Sequence, residues 1–219
     1  MPLPKVIAID GPVASGKTAV GRQLAQRLGY RFVDTGLMYR ACTFLALRGK
    51  VDIENTAALT ALADATTMDI VVTPEGERLL TNGEDVTFHL RTPEVQALVS
   101  HVAKVAGVRL AMVNQQQRMA EAGEVIMVGR DIGTKVLPHA GKVYLDASAD
   151  ERVRRRLAEV EGTETETEVR ANLELRDTID SEREESPLRV ADDAVVVNTD
   201  ALDVEGVVGA IIVALGGDA

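Results

Sequence analysis

The chain has 219 residues, 46% of them hydrophobic and 26% charged, so it is long enough to bury a large core, and its composition excludes disorder and collagen-like repeats. Its 24 Lys and Arg residues against 34 Asp and Glu residues give a formal net charge of −10. That charge opposes the broad positive surface that DNA or an anionic membrane requires, so we expect no nucleic-acid partner.

The cellular compartment is predicted from cysteine content and from hydrophobic segments. The single cysteine, Cys42, excludes an intramolecular disulfide, and the opening stretch MPLPKVIAID has no basic region followed by a long apolar one. The longest apolar runs, 125–128 and 207–215, are far shorter than the roughly 20 residues that span a bilayer. We therefore expect a cytoplasmic protein with no membrane partner. We also expect a monomer.

The N-terminal part of the chain alternates between strand and helix patterns. Residues 5–10 (KVIAID) are apolar and rich in β-branched side chains, and they lead directly into a Gly-rich turn, which predicts a buried strand. Apolar residues then recur every four positions and stop at Gly29, which predicts a helix. Residues 31–33 predict a second strand and residues 38–47 a second helix.

Three more short apolar runs predict further strands, at 124–128, 142–145 and 194–197. A last helix is predicted over 204–215, where six apolar residues form one stripe for core packing and Asp203 or Thr199 lies near the start. Five such strands with intervening helices predict an α/β fold, in which a parallel sheet is covered by helices.

Two regions interrupt this alternation. Residues 68–85 carry turn signals at Pro74–Gly76 and at Asn82–Gly83 between short β-like runs, which predicts small antiparallel strands inserted into the α/β core. Residues 162–189 are dense in charge and poor in apolar side chains, so we expect this segment to bury little and to open and close easily. We interpret its TETETE run as a solvated connector rather than a metal site.

The turn after the first strand matches the phosphate-binding pattern G-x-x-x-x-G-K-[ST], and it lies between a strand and a helix, as the mechanism requires. Such a loop points backbone N–H groups and a helix N-terminus at nucleotide phosphates. Lys17 would reach the outer phosphates, and the Thr18 hydroxyl would bind Mg²⁺. The predicted ATP-binding residues are Gly11, Pro12, Val13, Ala14, Ser15, Gly16, Lys17 and Thr18.

Other polar residues follow the predicted strands or share one helical spacing. Arg40 comes one turn into the helix after the second strand, and Arg130 lies two residues after the strand predicted at 124–128. Arg176, Asp180 and Arg183 are spaced i, i+4 and i+7, so a helix would place them on one face. That face could be a solvated salt-bridge ladder, or it could supply arginines to a phosphate site in an otherwise acidic protein.

These motifs together resemble a known family, the bacterial cytidylate kinases of the P-loop nucleoside monophosphate kinase group. The resemblance runs over nearly the whole chain. Its parts, in order, are IDGPVASGKT, DTGLMYRA, NGEDVTFHLRTPEV, the segment from Ser100 to Arg109, GRDIGT, KVYLDAS, RDTIDSEREESPL and ADDAVVVNT. It implies a P-loop kinase core (1–36, 124–160 and 190–219), a monophosphate-binding region (37–123) with the antiparallel insertion near 68–88, and a helical lid (161–189).

The resemblance also implies a reaction, in which Mg²⁺-dependent phosphoryl transfer from ATP converts CMP or dCMP to CDP or dCDP. The CMP-binding residues that it implies are Thr35, Arg40, Ser100, Arg109, Arg130, Asp131, Arg176 and Asp180. The catalytic residues that it implies are Lys17, Arg130, Arg176 and Arg183, with Thr18 as the Mg²⁺ ligand.

The identity of the acceptor depends chiefly on Asp131. A carboxylate there would accept a hydrogen bond from the cytosine amino group and would repel the carbonyl that uracil carries instead. UMP, AMP or a non-nucleotide acceptor such as shikimate stays open as an alternative. A nucleotide-dependent switch protein is a second alternative, but the guanine-reading pattern N-K-x-D is absent from this sequence.

Overall fold

A computed structural model describes residues 2–73, 76–160, 162 and 164–217. The chain divides into two compact units, Met1–Val33 with Ala122–Ala219, and Asp34–Glu121. The strands within the described residues are β1 (Val6–Asp10), β2 (Arg31–Asp34), β3 (Met68–Thr73), β4 (Gly76–Thr81), β5 (Glu84–Asp85), β6 (Val125–Gly129), β7 (Gly141–Asp146) and β8 (Val195–Asn198). The α-helices are α1 (Lys17–Leu28), α2 (Thr35–Arg48), α3 (Thr56–Asp64), α4 (Pro93–Ala103), α5 (Ala106–Ala120), α6 (Ala149–Val160), α7 (Glu166–Glu182) and α8 (Val204–Ala214).

The first unit is built on a five-stranded sheet in the order β2-β6-β1-β7-β8. Strand β1 pairs in parallel with both β6 and β7, and β7 pairs in parallel with β8. Every residue of β6 is buried, as expected for a central strand of a parallel sheet with continuous apolar sequence. The predicted five-stranded parallel sheet is confirmed.

Helices α1 and α8 pack on this sheet through the apolar stripes that the sequence predicts. Leu24 of α1 and Ile211 of α8 are fully buried in one cluster with Ile7 of β1 and Ile126 of β6. Helix α1 ends at Gly29, whose φ of 69° is in the left-handed region that glycine adopts without strain. Helix α8 begins after Asp203, whose carboxylate accepts the N–H of Gly206 at 2.8 Å.

The charged segment after α6 is largely helical, because α7 runs from Glu166 to Glu182. Thr165 and Glu168 form a capping box at its start, so the second half of the Thr–Glu run is a helix start and the connector interpretation is wrong there. Thr163, in the first half of that run, lies outside the described residues. Helix α7 ends before Arg183, whose extended backbone has ψ 139°, so Arg183 is not on the helical face that its spacing predicts.

One face of α7 is buried, contrary to the expectation that this segment buries little. Val169 and Leu173 are 1% and 3% exposed and share a small apolar cluster with Val13 of the phosphate loop and Val153 of α6. The helix is thereby packed against the loop that precedes α1. These two apolar side chains give α7 a buried face although the rest of its sequence is charged.

The second unit, Asp34–Glu121, joins α2 to α5 with a three-stranded sheet in the order β3-β4-β5. Its strands are antiparallel, which confirms the antiparallel strands predicted over residues 68–85. The turn between β4 and β5 has Asn82 and Gly83 at φ 49° and 84°, which is the conformation that an Asn-Gly hairpin requires. Pro74 and Glu75, at the other predicted turn, lie outside the described residues.

Candidate functional site

The loop between β1 and α1 has the backbone geometry of a phosphate cradle. Ala14 and Gly16 have φ values of 60° and 91°, so the chain turns tightly before the first helical residue. A Cβ on Gly11 would lie 2.2 Å from the Leu145 carbonyl oxygen, so only glycine fits there. Successive N–H groups at such a turn and at a helix N-terminus form a concave site that suits an anion.

Lys17 lies across this loop rather than in solvent. Lys17 is only 7% exposed, and its Nζ donates to the Pro12 carbonyl at 2.5 Å and to the Ser15 hydroxyl at 3.2 Å. The ammonium group is thus held beside the loop whose N–H groups form the cradle. Thr18, the next residue, is in the first turn of α1.

Asp10, the last residue of β1, joins the phosphate loop to the segment after β6. Its two carboxylate oxygens accept the N–H groups of Ile132 at 2.9 Å and Gly133 at 2.7 Å. Burial raises the pKa of Asp10 to about 6, although those two backbone hydrogen bonds oppose the rise; nearby Asp131 raises the pKa further, and Lys17 lowers it. In the sequence, the only signal for Asp10 is that it directly precedes the first glycine of the motif.

A cluster of buried charges forms where the segment after β6 meets the end of α7. Arg130 Nε lies 2.8 Å from Asp180 Oδ2, and Arg183 Nη1 lies 3.5 Å from Asp180 Oδ1. Arg183 Nη2 also lies 3.6 Å from Asp131 Oδ1, with the side chains of Arg183 and Asp131 4% and 5% exposed. The structure therefore brings together four of the predicted site residues of this unit.

The arginines control the protonation of Asp180. Burial raises the pKa of this carboxyl, but the positive charges of Arg130 and Arg183 and the hydrogen bond from Arg130 outweigh burial, so the net pKa is lowered. Arg176, one turn earlier on α7, lowers the pKa further. Because Asp180 is buried, the face of α7 that carries Arg176 and Asp180 is not a solvated salt-bridge ladder.

Two arginines of α6 that belong to no sequence motif also lie against the phosphate loop. Arg152 Nη1 lies 3.3 Å from the Val13 carbonyl oxygen and 2.5 Å from Asp177 Oδ2, so it joins the loop to α7. Arg155 donates to the hydroxyl of Thr199 at 2.9 Å and to its carbonyl at 2.7 Å. The only sequence signal for them was the Arg-rich run of α6, which is also typical of an exposed helix.

In the second unit, Arg109 of α5 is the most deeply buried of the predicted arginines. It is 3% exposed, donates to the Ala103 carbonyl at 3.1 Å, and has its guanidinium carbon 5.4 Å from the centre of the Tyr39 ring. A planar cation beside an aromatic face is held in a fixed orientation. Such a side chain can present N–H groups to a planar ligand in a fixed orientation.

The other predicted residues of this unit lie on α2 and α4. Thr35 is the first residue of α2 and is 3% exposed, and Arg40 Nη2 lies 3.4 Å from Oε1 of Gln96 on α4. Ser100, also on α4, is 8% exposed. Asp34 starts α2 by accepting the Gly36 N–H at 3.0 Å, which fixes the direction of the helix that carries Arg40.

No cluster of three or more His, Cys, Asp or Glu side chains suited to a metal ion occurs in the described part of the chain. A Mg²⁺ ion bound with nucleotide phosphates does not need one, because it keeps several waters and takes only one or two protein oxygens. The Thr18 hydroxyl, beside the phosphate cradle, fits that requirement. Likewise, among the described helices none combines the length and apolarity needed to cross a membrane.

Comparison with solved structures supports the fold. The chain is similar to a shikimate kinase from Bacteroides thetaiotaomicron, with a TM-score of 0.50 and 16% identity, covering 96% of this chain and 97% of that one. At this identity the similarity shows a shared P-loop kinase fold and says nothing about the acceptor.

Comparison with known sequences is more specific. The sequence model described as Cytidylate kinase matches residues 7–216. The chain is 48% identical over 211 residues to the cytidylate kinase of Bacillus licheniformis, covering 94% of this chain and 93% of that protein. It is 47% identical to the cytidylate kinase of Enterococcus faecalis, covering 94% and 92%. The phosphate loop, the parallel sheet and these matches over almost its full length establish that the chain belongs to the cytidylate kinase family.

Proposed function

We propose that this protein transfers the terminal phosphoryl group of ATP to CMP or dCMP, giving ADP and CDP or dCDP, with Mg²⁺ bound beside the phosphates. The observation that carries the proposal is the Arg130–Asp180–Arg183–Asp131 cluster, which lies in the same compact unit as the phosphate loop with Lys17. Both parts are needed to transfer a phosphoryl group between two anions.

The phosphate loop, residues 11–18, would hold ATP. Its N–H groups would cradle the phosphates, and Lys17, already beside the loop, would neutralise charge on the outer ones. The Thr18 hydroxyl would bind Mg²⁺, which supplies a positive charge shared between the phosphate oxygens. Every other part of the site would act by positioning and by charge.

Recognition of the acceptor base would depend on Asp131, with Thr35, Ser100 and Arg109 contributing as the family resemblance implies. The Asp131 carboxylate accepts hydrogen bonds and cannot donate them when ionised, so it favours an amino group over a carbonyl. Arg109 supplies only donors, which suits the acceptor atoms of the cytosine ring. Arg40 and Arg130 would hold the monophosphate, and Arg176 and Asp180 would approach the sugar and phosphates.

Arg183 and Arg176 would surround the transferring group. Planar guanidinium groups can hold phosphate oxygens with two parallel hydrogen bonds, which the ammonium group of lysine cannot do. Because α7 carries Arg176 and ends just before Arg183, movement of α7 would bring these charges to the site or withdraw them. Such a lid would also keep water, the competing acceptor, from the ATP.

No general base is required in this proposal. The CMP phosphate is already anionic near neutral pH, so it can attack once it is aligned with the leaving group. Catalysis would therefore consist of aligning two nucleotides and neutralising the charge that develops between them.

The test is a coupled assay of ADP formation with CMP, dCMP, UMP, AMP or shikimate as acceptor, and with no acceptor. We expect CMP or dCMP to give the highest kcat/KM. A clear preference for UMP or AMP would overturn the cytidine assignment. ATP turnover that is equally fast without any acceptor would instead favour a nucleotide-dependent switch.

We further propose that the protein works as a monomer in the cytoplasm. The product class, pyrimidine nucleoside diphosphates, places the protein in pyrimidine nucleotide metabolism, which suits a cytoplasmic enzyme. A monomer is sufficient, because the predicted site residues all come from one chain. Size-exclusion chromatography with light scattering tests this, and a dimer mass at micromolar concentration would contradict it.

A further inference from the structure

Asp10 is a buried carboxylate with no assigned part in the reaction proposed above. It is 5% exposed and lies at the end of the central strand β1, in register with Gly129 of β6 and Tyr144 of β7. Its backbone cannot shift easily, because the next residue, Gly11, is in close contact with the Leu145 carbonyl. The carboxylate is therefore fixed at the start of the phosphate loop.

Both oxygens of Asp10 are engaged by the backbone that carries Arg130 and Asp131. The N–H groups of Ile132 and Gly133 lie 2.9 Å and 2.7 Å from Oδ1 and Oδ2. These N–H groups open a single turn of helix, 132–136, in which the preceding Asp131 makes no side-chain cap. Asp10 thus accepts hydrogen bonds from backbone N–H groups at the start of this turn, where the side chain of Asp131 would otherwise act as the cap.

This arrangement leaves the Asp131 carboxylate for another use. Instead of bending back to its own backbone, it lies 3.6 Å from Arg183 in the buried charge cluster. Burying a second carboxylate near Asp131 is unfavourable, because burial and like charge both disfavour the ionised form. A neutral hydrogen-bond acceptor would avoid that cost, so stability alone does not explain an aspartate at position 10.

We propose that Asp10 is a positioning residue, which holds the backbone of residues 132 and 133 so that Asp131 and Arg130 keep a fixed place relative to the phosphate loop. This inference rests on the proposed function, since it takes Asp131 and Arg130 as acceptor-binding groups. In addition, one carboxylate, that of Asp10, connects the phosphate loop to the segment that carries Arg130 and Asp131. Weakening these two hydrogen bonds displaces Arg130 and Asp131 while leaving the phosphate loop intact.

The test is Asp10→Asn, in which one oxygen still accepts a hydrogen bond while the amide nitrogen faces the second N–H group. We expect kcat/KM for CMP to fall about 10- to 100-fold, the usual effect of removing a group that orients another. The ratio of kcat/KM for CMP to that for UMP is expected to fall as well. Binding of a fluorescent ATP analogue is expected to change less than about 3-fold, well below the effect on the acceptor.

Hydrogen exchange supplies a readout that does not depend on activity. Amide exchange in a peptide that covers residues 130–136 is expected to accelerate in Asp10→Asn, whereas exchange in α8 stays unchanged. The matched control is Asp203→Asn, because Asp203 also accepts a backbone N–H, at 2.8 Å in the same unit, and belongs to no proposed site. An equal loss of kcat/KM in both variants would overturn the proposal.

Asp131→Ala, measured in the same assay, separates this inference from the proposed function. If Asp131→Ala loses base discrimination and Asp10→Asn keeps it, the positioning role is wrong and the proposed function stands. If neither variant changes base discrimination, Asp131 does not read the base and the positioning role is wrong, whereas the proposed function is judged separately by the acceptor preference of the wild-type protein. Asp10→Ser is the second variant, and failure of both Asp10 variants to fold would overturn the proposal by making Asp10 a requirement for folding.

Discussion

Arg130 and Asp180 are 50 residues apart in the chain, yet Nε of the first lies 2.8 Å from Oδ2 of the second. The contact joins the segment after a central strand to the last turn of α7. Because the Asp180 side chain is 8% exposed, water screens this pair weakly. We therefore interpret Asp180 as the carboxylate that neutralises Arg130 and Arg183 and holds these two arginines of the predicted phosphate site together.

Removing Asp180 tests that interpretation through stability. In Asp180→Asn, Arg130 and Arg183 lose their shared carboxylate, so we expect the free energy of unfolding at pH 7 to fall by about 3 kcal/mol. The pKa of Asp180 is lowered in the folded protein, so its stabilisation is present above the unfolded pKa of about 4 and is lost as pH falls further. Urea unfolding at several pH values measures both effects.

Asp193→Asn is the matched control for that experiment. Asp193 also pairs with a cation, Lys142 at 2.6 Å, but its side chain is 68% exposed. We expect little change in stability from this variant, since exposed pairs contribute little. If the Asp180 and Asp193 variants were equally stable, burial would not be what makes the Asp180 pair important.

Lys17→Ala is expected to abolish measurable phosphoryl transfer, a loss of at least about 10²- to 10³-fold in kcat. The reason is that the ammonium group beside the phosphate loop would be the main positive charge on the outer ATP phosphates. Steady-state kinetics with saturating ATP and CMP measure this. Lys5→Ala, which removes a 77% exposed lysine of the same unit, serves as the control, and a similar loss in both would contradict the role of Lys17.

Asp131→Ala is expected to lower kcat/KM for CMP far more than for UMP. An unpaired amino group on the buried cytosine would lose about 1–3 kcal/mol, so the preference for CMP would shrink by roughly 5- to 150-fold. Competition between the two acceptors in one reaction measures the ratio directly. Equal losses for CMP and UMP would remove Asp131 from base recognition.

Arg183→Ala is expected to lower kcat more than it lowers affinity for either nucleotide. If its guanidinium contacts the transferring group, the contact strengthens as charge develops, and a loss of about 10²-fold in kcat is expected. Arg154→Ala is the control, since Arg154 is 72% exposed and pairs with Glu151 outside the cluster. Unchanged turnover in Arg183→Ala would place this residue outside the reacting region.

Asp10→Asn is expected to change how stability depends on pH. Since burial raises the pKa of Asp10 to about 6, its contribution is greatest below the unfolded pKa and is lost as pH rises through 6. Relative to the variant, the wild-type protein is therefore expected to gain about 1.5 kcal/mol of stability between pH 8 and pH 5. Urea unfolding of both proteins measures the difference, and a constant difference across that range would contradict the raised pKa.

Local sequence determined much of the first unit. Strands such as 6–10 and 125–129 are short, apolar and β-branched, and the phosphate motif lies between one of them and a helix. Each of these signals depends on neighbouring residues only, so it can be interpreted without the fold. The Asn82–Gly83 turn was predictable for the same reason, since few residues tolerate its backbone conformation.

Helices α3, α4 and α5 were not predicted, and the polar core of α5 shows why. Arg109, Gln115 and Gln116 are buried there, and Gln115 bonds to the backbone of Thr66 and Met68 in place of an apolar contact. Such a helix lacks the apolar stripe that periodicity detects. Its buried side is recognisable only when the partner backbone is known.

The sequence by itself predicted a site for nucleotide phosphates, because a phosphate loop needs a contiguous set of small residues, a lysine and a threonine. Only the tertiary structure decided that Arg183 lies beyond the end of α7 yet reaches Asp131, and that Asp10 holds the backbone of Ile132 and Gly133. These contacts join residues that are far apart in the chain. Ile132 and Gly133 lie 122 and 123 positions from Asp10. No local pattern encodes such distances, because they depend on which strand ends the parallel sheet brings side by side.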